Sequence, residues 1–94
     1  MSKPTLTPDQ VQRIVHALGD PNRYDILQRV FASDKALTCA CAKGELTISD
    51  ATCSHHLKEL HTAELITMER DGRHRLLTPR RDIWKAFLRQ LKEL

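Results

Sequence analysis

The sequence predicts a mainly α-helical domain with one β-hairpin, in the order α-α-α-α-β-β-α. Apolar residues recur every three or four positions over most of the chain, and each such stretch follows a residue that commonly caps a helix. Around Asp71-Gly72 the apolar period shortens to two, as in a half-buried strand pair. The 94 residues suffice for one domain, 1–94, in which we expect residues 1–6 to be loose.

The first two helices have the clearest start signals. Thr7 is an expected N-cap with Pro8 at the first helical position, and Gly19 is the expected end. Asp20-Pro21 repeats the same signal and predicts a second helix that runs to about Ala32. These two helices should pack against each other through their apolar stripes.

A helix-turn-helix is predicted at about residues 38–62. Thr38 can cap a short third helix that ends near Gly44. Ser49 can cap a longer fourth helix, in which Leu57 and Leu60 form an apolar stripe. The fourth helix would then expose its polar side chains along the other face.

The hairpin is predicted at about residues 65–78. Asp-Gly between alternating residues is a strong signal for a two-residue turn. A turn at Asp71-Gly72 would pair Arg70 with Arg73 and Glu69 with His74. Like charges directly opposite are unfavourable, and a bound phosphate would relieve the repulsion.

The final helix, at about residues 79–94, is expected to begin at Thr78-Pro79 and to dimerise the protein. Its apolar stripe is too wide for a small monomer to cover, which predicts a homodimer through the first and last helices. The expected interface comprises Val11, Val15, Leu18, Ile83, Trp84, Phe87, Leu88 and Leu91.

A short helix, a turn, a longer helix and a hairpin form a winged helix-turn-helix, an arrangement suited to DNA. The longer helix fits the major groove, and the hairpin can follow the backbone or reach the minor groove. We expect His55 on the DNA side and His56 partly against the domain, where a structural role is favoured for it. The candidate DNA-binding residues are Ser49, Asp50, Thr52, Ser54, His55, His56, Lys58, Arg70, Arg73 and Arg75.

The charge distribution fits a partner that carries phosphates. The net charge is +3 and the sequence pI is about 9.0. Seven basic residues and one acidic residue lie between Arg73 and Lys92, whereas acidic residues outnumber basic ones before Arg73. The alternative interpretation of this stretch is a solvated helix face.

Three segments together resemble the ArsR/SmtB family of bacterial winged-helix repressors. They are Asp20-Pro21-x-Arg23, Ser54-His55-His56-Leu57 and Gly72-Arg73, and the similarity extends over about residues 11–78. The resemblance implies a homodimer that binds operator DNA and is released by an effector. The two-fold symmetry of such a dimer predicts an inverted repeat in double-stranded DNA. Where the family often has glycine after the recognition helix, this chain has Glu64. Glu64 must therefore adopt the left-handed conformation, or the helix must end differently.

The three cysteines leave several roles open. An odd number in a reducing compartment excludes a disulfide framework. Some family members bind a soft metal or metalloid through a Cys-x-Cys pair in the third helix, and here Cys39, Cys41 and Cys53 are the candidates. The other interpretations are plain core residues and a thiol oxidation sensor. No cofactor is predicted to be required, and a soft metal or metalloid is a candidate effector.

Several other classes of protein are disfavoured. No apolar run approaches a membrane span, and the N-terminus has no signal-peptide core, so we expect a cytoplasmic protein without membrane contact. No phosphate loop, acid pair or nucleophile elbow is present, so we expect no enzyme activity. The alternative is a small zinc-organised or protein-interaction domain that binds no operator.

Overall fold

The computed structural model describes residues 5–94, and its element order confirms the predicted one with one added strand. The helices are α1 (Pro8–Leu18), α2 (Pro21–Ala32), α3 (Cys39–Lys43), α4 (Asp50–Thr62) and α5 (Arg81–Lys92). The strands are β1 (Leu37–Thr38), β2 (Ile66–Asp71) and β3 (His74–Pro79). None of the helices in this described part is long and apolar enough to cross a membrane.

The prediction that residues 1–6 are loose is wrong at Leu6. Residues 1–4 lie outside the described part of the chain. Leu6 is buried in the core, and its backbone N–H donates a 2.7 Å hydrogen bond to Oε1 of Gln90. Burial of the apolar side chain of Leu6 against the core stabilises this position through the hydrophobic effect.

Four of the predicted helix starts are confirmed. At each of them a side-chain oxygen accepts a hydrogen bond from a backbone N–H of the first turn, which satisfies a group that the helix cannot pair internally. The caps are Thr7, Asp20, Thr38 and Ser49. Thr7 also forms the full capping box with Gln10.

The predicted start of the final helix at Thr78-Pro79 is wrong. Pro79 is the last residue of β3 and pairs with Ile66. The backbone N–H of Arg80 then donates to the carbonyl of Leu65, and α5 begins at Arg81 without a side-chain cap. Proline is tolerated here because it stands at a strand end, where a missing N–H costs little.

A two-residue strand, β1, was not predicted. It adds to the hairpin as an outer strand, giving the order β1-β3-β2, with Leu37 opposite Leu77 and Thr38 opposite Leu76. Two residues are too few to show an alternating pattern, so only the pairing with β3 defines this strand.

The hairpin register differs from the prediction by one position. Asp71 pairs with His74 and Arg70 with Arg75, so the turn residues are Gly72 and Arg73. Gly72 has φ +61°, and Arg73 is not a left-handed residue. A positive φ at the first turn residue alone is typical of a type II′ turn, which favours glycine there, whereas Asp-Gly suits type I′.

The core lies between α1, α2, α4 and the buried face of the sheet. Its fully buried large side chains come from all of these elements, so no helix or strand buries its apolar face alone. They are Ile14, Ile26, Val30, Leu60, Leu65, Ile66 and Leu77. This core holds α4 with one face inward and the other free.

Candidate nucleic-acid interface

Helix α4, the predicted recognition helix, divides its residues cleanly between core and solvent. Cys53, His56, Leu57 and Leu60 are buried on the inner face. On the outer face, Thr52, Ser54, His55 and Lys58 are exposed. Short hydroxyl groups, an imidazole and an ammonium group are suited to base edges and phosphates.

The N-terminal end of α4 is already organised by its own side chains. Oγ of Ser49 accepts from the backbone N–H of Thr52 at 3.0 Å and donates to Oγ1 of Thr52 at 2.9 Å. The exposed carboxylate of Asp50 forms a 3.1 Å ion pair with Nζ of Lys43. Lys43 was not among the predicted residues, because its position in a short helix gave no sign that it would meet Asp50.

His56 does not share this exposed surface. Its side chain is buried, and Nδ1 accepts a hydrogen bond from Nε of Arg23 at 3.3 Å. The structure therefore removes His56 from the candidate DNA contacts, in keeping with the structural role that the sequence favoured. Adjacent helical residues point about 100° apart, so His55 can face outward beside it.

The wing lies across a cleft from the recognition helix. Arg70, Arg73 and Arg75 are exposed, and the pairing of Arg70 with Arg75 puts two like charges directly opposite. The cleft is lined by Thr38, Cys39, Ala40, Ser54, Arg73, His74 and Arg75. Ser54 of the recognition helix and two arginines of the wing therefore line one surface. His74, which was not among the predicted DNA-binding residues, also lines this surface.

The cysteines are not assembled as a set of three. Cys39 and Cys53 line one pocket together with Lys43 and Asp50, whereas Cys41 is exposed and does not line it. Burial raises the pKa of the Cys53 thiol, and the charge of a Cys39 thiolate raises it further. Among residues 5–94, no group of three or more His, Cys, Asp or Glu side chains is arranged to hold a metal ion.

Part of the apolar stripe of α5 is buried within the chain, so the predicted dimer interface is corrected. Ile83 and Phe87 are buried within the chain itself and are not available to a partner. Trp84 is half-buried between the rings of Phe31 and Phe87, at centroid distances of 5.7 and 5.8 Å. The side chains left open include Val15, at 54% exposure, Leu88, at 46%, and Leu91, at 42%. Val11 and Leu18 are half-buried against the core.

Comparison with known protein families gives a match over more than half of the chain. A model of the helix-turn-helix domain family matches residues 18–69. A relative from Bacillus subtilis, the uncharacterized HTH-type transcriptional regulator YceK, is 31% identical over 81 residues, which cover 85% of this chain and 81% of YceK. A candidate repressor of an arsenical resistance operon from Halobacterium salinarum is 27% identical over 67 residues, which cover 71% of this chain and 56% of that protein.

Solved structures match the fold over nearly the whole chain. An ArsR family transcriptional regulator superimposes with a TM-score of 0.83 at 22% identity, covering 96% of this chain and 91% of the other. The homodimeric winged helix-turn-helix DNA-binding domain of a Mycobacterium bovis protein gives a TM-score of 0.72 at 23% identity, covering 90% of this chain and 79% of the other. These two likenesses concern the fold, which is the ArsR-type winged helix-turn-helix.

Proposed function

Because the chain belongs to the helix-turn-helix family of DNA-binding transcriptional regulators, we propose that it is a cytoplasmic, homodimeric repressor that binds an inverted-repeat operator. The observation that carries this proposal is the cleft shared by Ser54 of α4 and by Arg73 and Arg75 of the wing. One DNA backbone can lie in this cleft while the outer face of α4 enters the adjacent major groove.

The two sides of the cleft have different tasks. Thr52, Ser54, His55 and Lys58 read or position the base edges, and Ser49 and Asp50 lie at the helix end that enters the groove. A good bidentate contact to a base is worth about 1–3 kcal/mol of discrimination. Arg70, Arg73 and Arg75 neutralise phosphates, which adds affinity without sequence information.

Selection of bound duplexes from a random pool tests this function. Ser54→Ala should narrow the affinity gap between the selected operator and random DNA. Arg73→Ala should weaken binding to both nearly equally and reduce the salt slope by about one unit. Arg13→Ala, which removes an exposed arginine from α1, is the matched control and should change neither. If wild-type protein selects no common sequence, the proposal is wrong.

The dimer is proposed to form through the exposed apolar residues of α1 and α5. Val15, Leu88 and Leu91 are large side chains that the core leaves open, and the M. bovis fold neighbour is a homodimer. The two-fold axis would place the two recognition helices about one helical turn of DNA apart, near 34–36 Å. Leu88→Ser with Leu91→Ser should give folded monomers in analytical ultracentrifugation. A one-chain mass for the wild-type protein at micromolar concentration would refute the dimer.

A soft metal or metalloid is the effector that the pocket favours. Cys39 and Cys53 line the same pocket between α3 and α4, and thiolates suit soft ions. An ion bound there would draw α4 toward α3, and typical allosteric coupling of about 1–3 kcal/mol suffices to release DNA. Arsenite should release the wild-type protein from the operator and should fail to release the Cys39→Ser variant. The Cys41→Ser variant is the control and should still be released. Release by peroxide alone would instead identify a thiol oxidation sensor.

A further inference from the structure

A buried arginine joins three helices at the back of the recognition helix. Arg23, in the first turn of α2, is only 7% exposed. Nε of Arg23 donates to Nδ1 of His56 in α4 at 3.3 Å, and Nη1 donates to the backbone carbonyl of His16 in α1 at 3.2 Å. A permanently charged guanidinium is costly to bury, so its placement calls for directional partners of this kind.

The carboxylate of Asp20 extends this network on the other side of His56. Oδ1 of Asp20 accepts from the backbone N–H groups of Asn22 and Arg23, at 2.9 and 3.1 Å, and so caps α2. The same oxygen lies 3.8 Å from Nε2 of His56. These backbone hydrogen bonds, that of Arg23 above all, lower the pKa of Asp20, so the carboxylate is charged at neutral pH.

The direction of the Arg23 bond defines the state of the imidazole. Nε of Arg23 can only donate, so Nδ1 of His56 must accept and cannot carry a proton. A neutral imidazole then carries its proton on Nε2, which faces the carboxylate of Asp20. Nδ1 of His56 is thereby held by α2, and Nε2 faces the turn before α2 at a distance longer than a direct hydrogen bond.

A second contact ties the same part of α1 to α4. Nε2 of His16 lies 3.6 Å from Oε2 of Glu59, and Nε2 of His55 lies 3.9 Å from the other oxygen of that carboxylate. These three groups are much more exposed than Arg23 and His56, and surface pairs of this kind contribute little. The bond between Arg23 and His56 is therefore a buried side-chain contact that links α4 to α2, whereas the ion pairs of Glu59 and of Asp50 are more exposed.

We propose that Arg23 and His56 are positioning residues for DNA reading, which hold α4 at the angle that presents Ser54 and His55 to the bases. This inference rests on the proposed operator binding. His56 adjoins His55 in the chain, so a small rotation of α4 that relieves a lost bond at His56 displaces the outer face. Base contacts depend on such angles more than phosphate contacts do, since flexible wing arginines can follow the backbone.

The test compares two replacements of His56 in the full-length chain. His56→Leu removes the acceptor, whereas His56→Asn retains an acceptor near the place of Nδ1. The operator is the duplex selected by the wild-type protein, and a random duplex of equal length is the second probe. We expect His56→Leu to reduce the ratio of operator to random affinity by about tenfold, the size of one good base contact. Affinity for random DNA and its salt slope should stay unchanged, and His56→Asn should restore most of the ratio.

The double variant Arg23→Met, His56→Leu covers the case in which His56→Leu alone does not fold. Replacing a buried polar pair with apolar side chains of similar volume is often neutral or stabilising, so this variant should fold and still lose discrimination. His61→Leu, which removes an exposed histidine from the same helix, is the control and should retain the wild-type ratio. Long-range ¹H–¹⁵N NMR of the wild-type protein should show the proton of the His56 ring on Nε2.

The outcomes separate this inference from the proposed function. A wild-type protein without operator preference refutes the function itself. If the wild-type protein prefers its operator, the positioning role is refuted when the folded double variant keeps the full ratio of operator to random affinity. The positioning role is also refuted if His56→Asn restores nothing, or if NMR places the proton on Nδ1.

Discussion

Replacement of Glu64 by glycine should stabilise the protein, because Glu64 closes the recognition helix in a conformation that suits glycine. Glu64 has φ +63°, and it is the one residue other than glycine with a positive φ among residues 5–94. The backbone N–H of Glu64 donates to the carbonyl of His61 at 2.9 Å, and that of Leu65 donates to Leu60 at 3.1 Å. These bonds satisfy carbonyls at the end of α4 and require the left-handed residue between them.

The expected change in the free energy of unfolding is the sum of one favourable and two unfavourable contributions. The left-handed conformation costs an L-residue about 1–2 kcal/mol, which Glu64→Gly removes. Glycine adds entropy to the unfolded chain, which costs about 0.5–1 kcal/mol. The 3.4 Å contact from Nε2 of Gln10 to Oε1 of Glu64 is also lost, and a long contact of this kind contributes little. The free energy of unfolding should therefore rise by about 0.5–1 kcal/mol.

Urea unfolding at one fixed protein concentration measures this change, because the proposed dimerisation would make stability depend on concentration. The melting temperature should rise by about 2–8 °C. Glu45→Gly is the matched control: Glu45 is exposed and does not have a positive φ, so this substitution should destabilise the protein. If Glu64→Gly lowers stability as much as Glu45→Gly does, the strain argument is wrong.

Three further outcomes follow from the described contacts. Gly44→Ala should lower the free energy of unfolding by more than about 1 kcal/mol. Gly44 has φ +55°, and a new β-carbon would lie 2.8 Å from Cζ of Arg29, whose Nη1 donates to two carbonyls of α3. Unchanged urea unfolding would contradict this prediction. The pKa of Asp20 is lowered in the folded protein, so its charged carboxylate stabilises the fold at pH values above its ordinary pKa of 3.8. This stabilisation is lost as the pH falls through the lowered pKa of the folded state. Acid titration should therefore destabilise the wild-type protein more than Asp20→Asn, and parallel acid curves would refute this assignment. Iodoacetamide at pH 8 should modify the exposed Cys41 well before Cys53, whose pKa burial raises; mass spectrometry showing equal rates would contradict this order.

The local signals in the sequence were enough for most of the fold. Each confirmed cap accepts a hydrogen bond from a backbone group two or three residues away, so its role can be predicted from the local sequence alone. These caps are Thr7, Asp20, Thr38 and Ser49. The division of α4 into an inner and an outer face also follows from helical periodicity. The outer residues Ser54 and His55 were predicted on this basis, opposite the apolar stripe of Leu57 and Leu60.

The errors concern choices between nearly equal local alternatives. Asp71-Gly72 and Gly72-Arg73 both make acceptable two-residue turns, and the choice moves every cross-strand pair of the wing. On α5, periodicity indicates that Ile83 and Leu88 both belong to one wide apolar stripe, yet the core buries the first and leaves the second open. A hydrophobic pattern shows which residues avoid water and leaves undecided which surface covers them.

By itself the sequence determined the order of the helices, the caps of the first four, the presence of the hairpin and the exposed face of α4, because these depend on hydrogen bonds and periodicities within a few residues. Only the tertiary structure decided which distant residues meet. It paired β1 with β3, brought Ser54 to the same cleft as Arg73, placed Cys39 and Cys53 in one pocket, and set Arg23 against His56. Such contacts arise from the packing of whole elements around a shared core, and no local pattern encodes the distance between two residues that lie 33 positions apart.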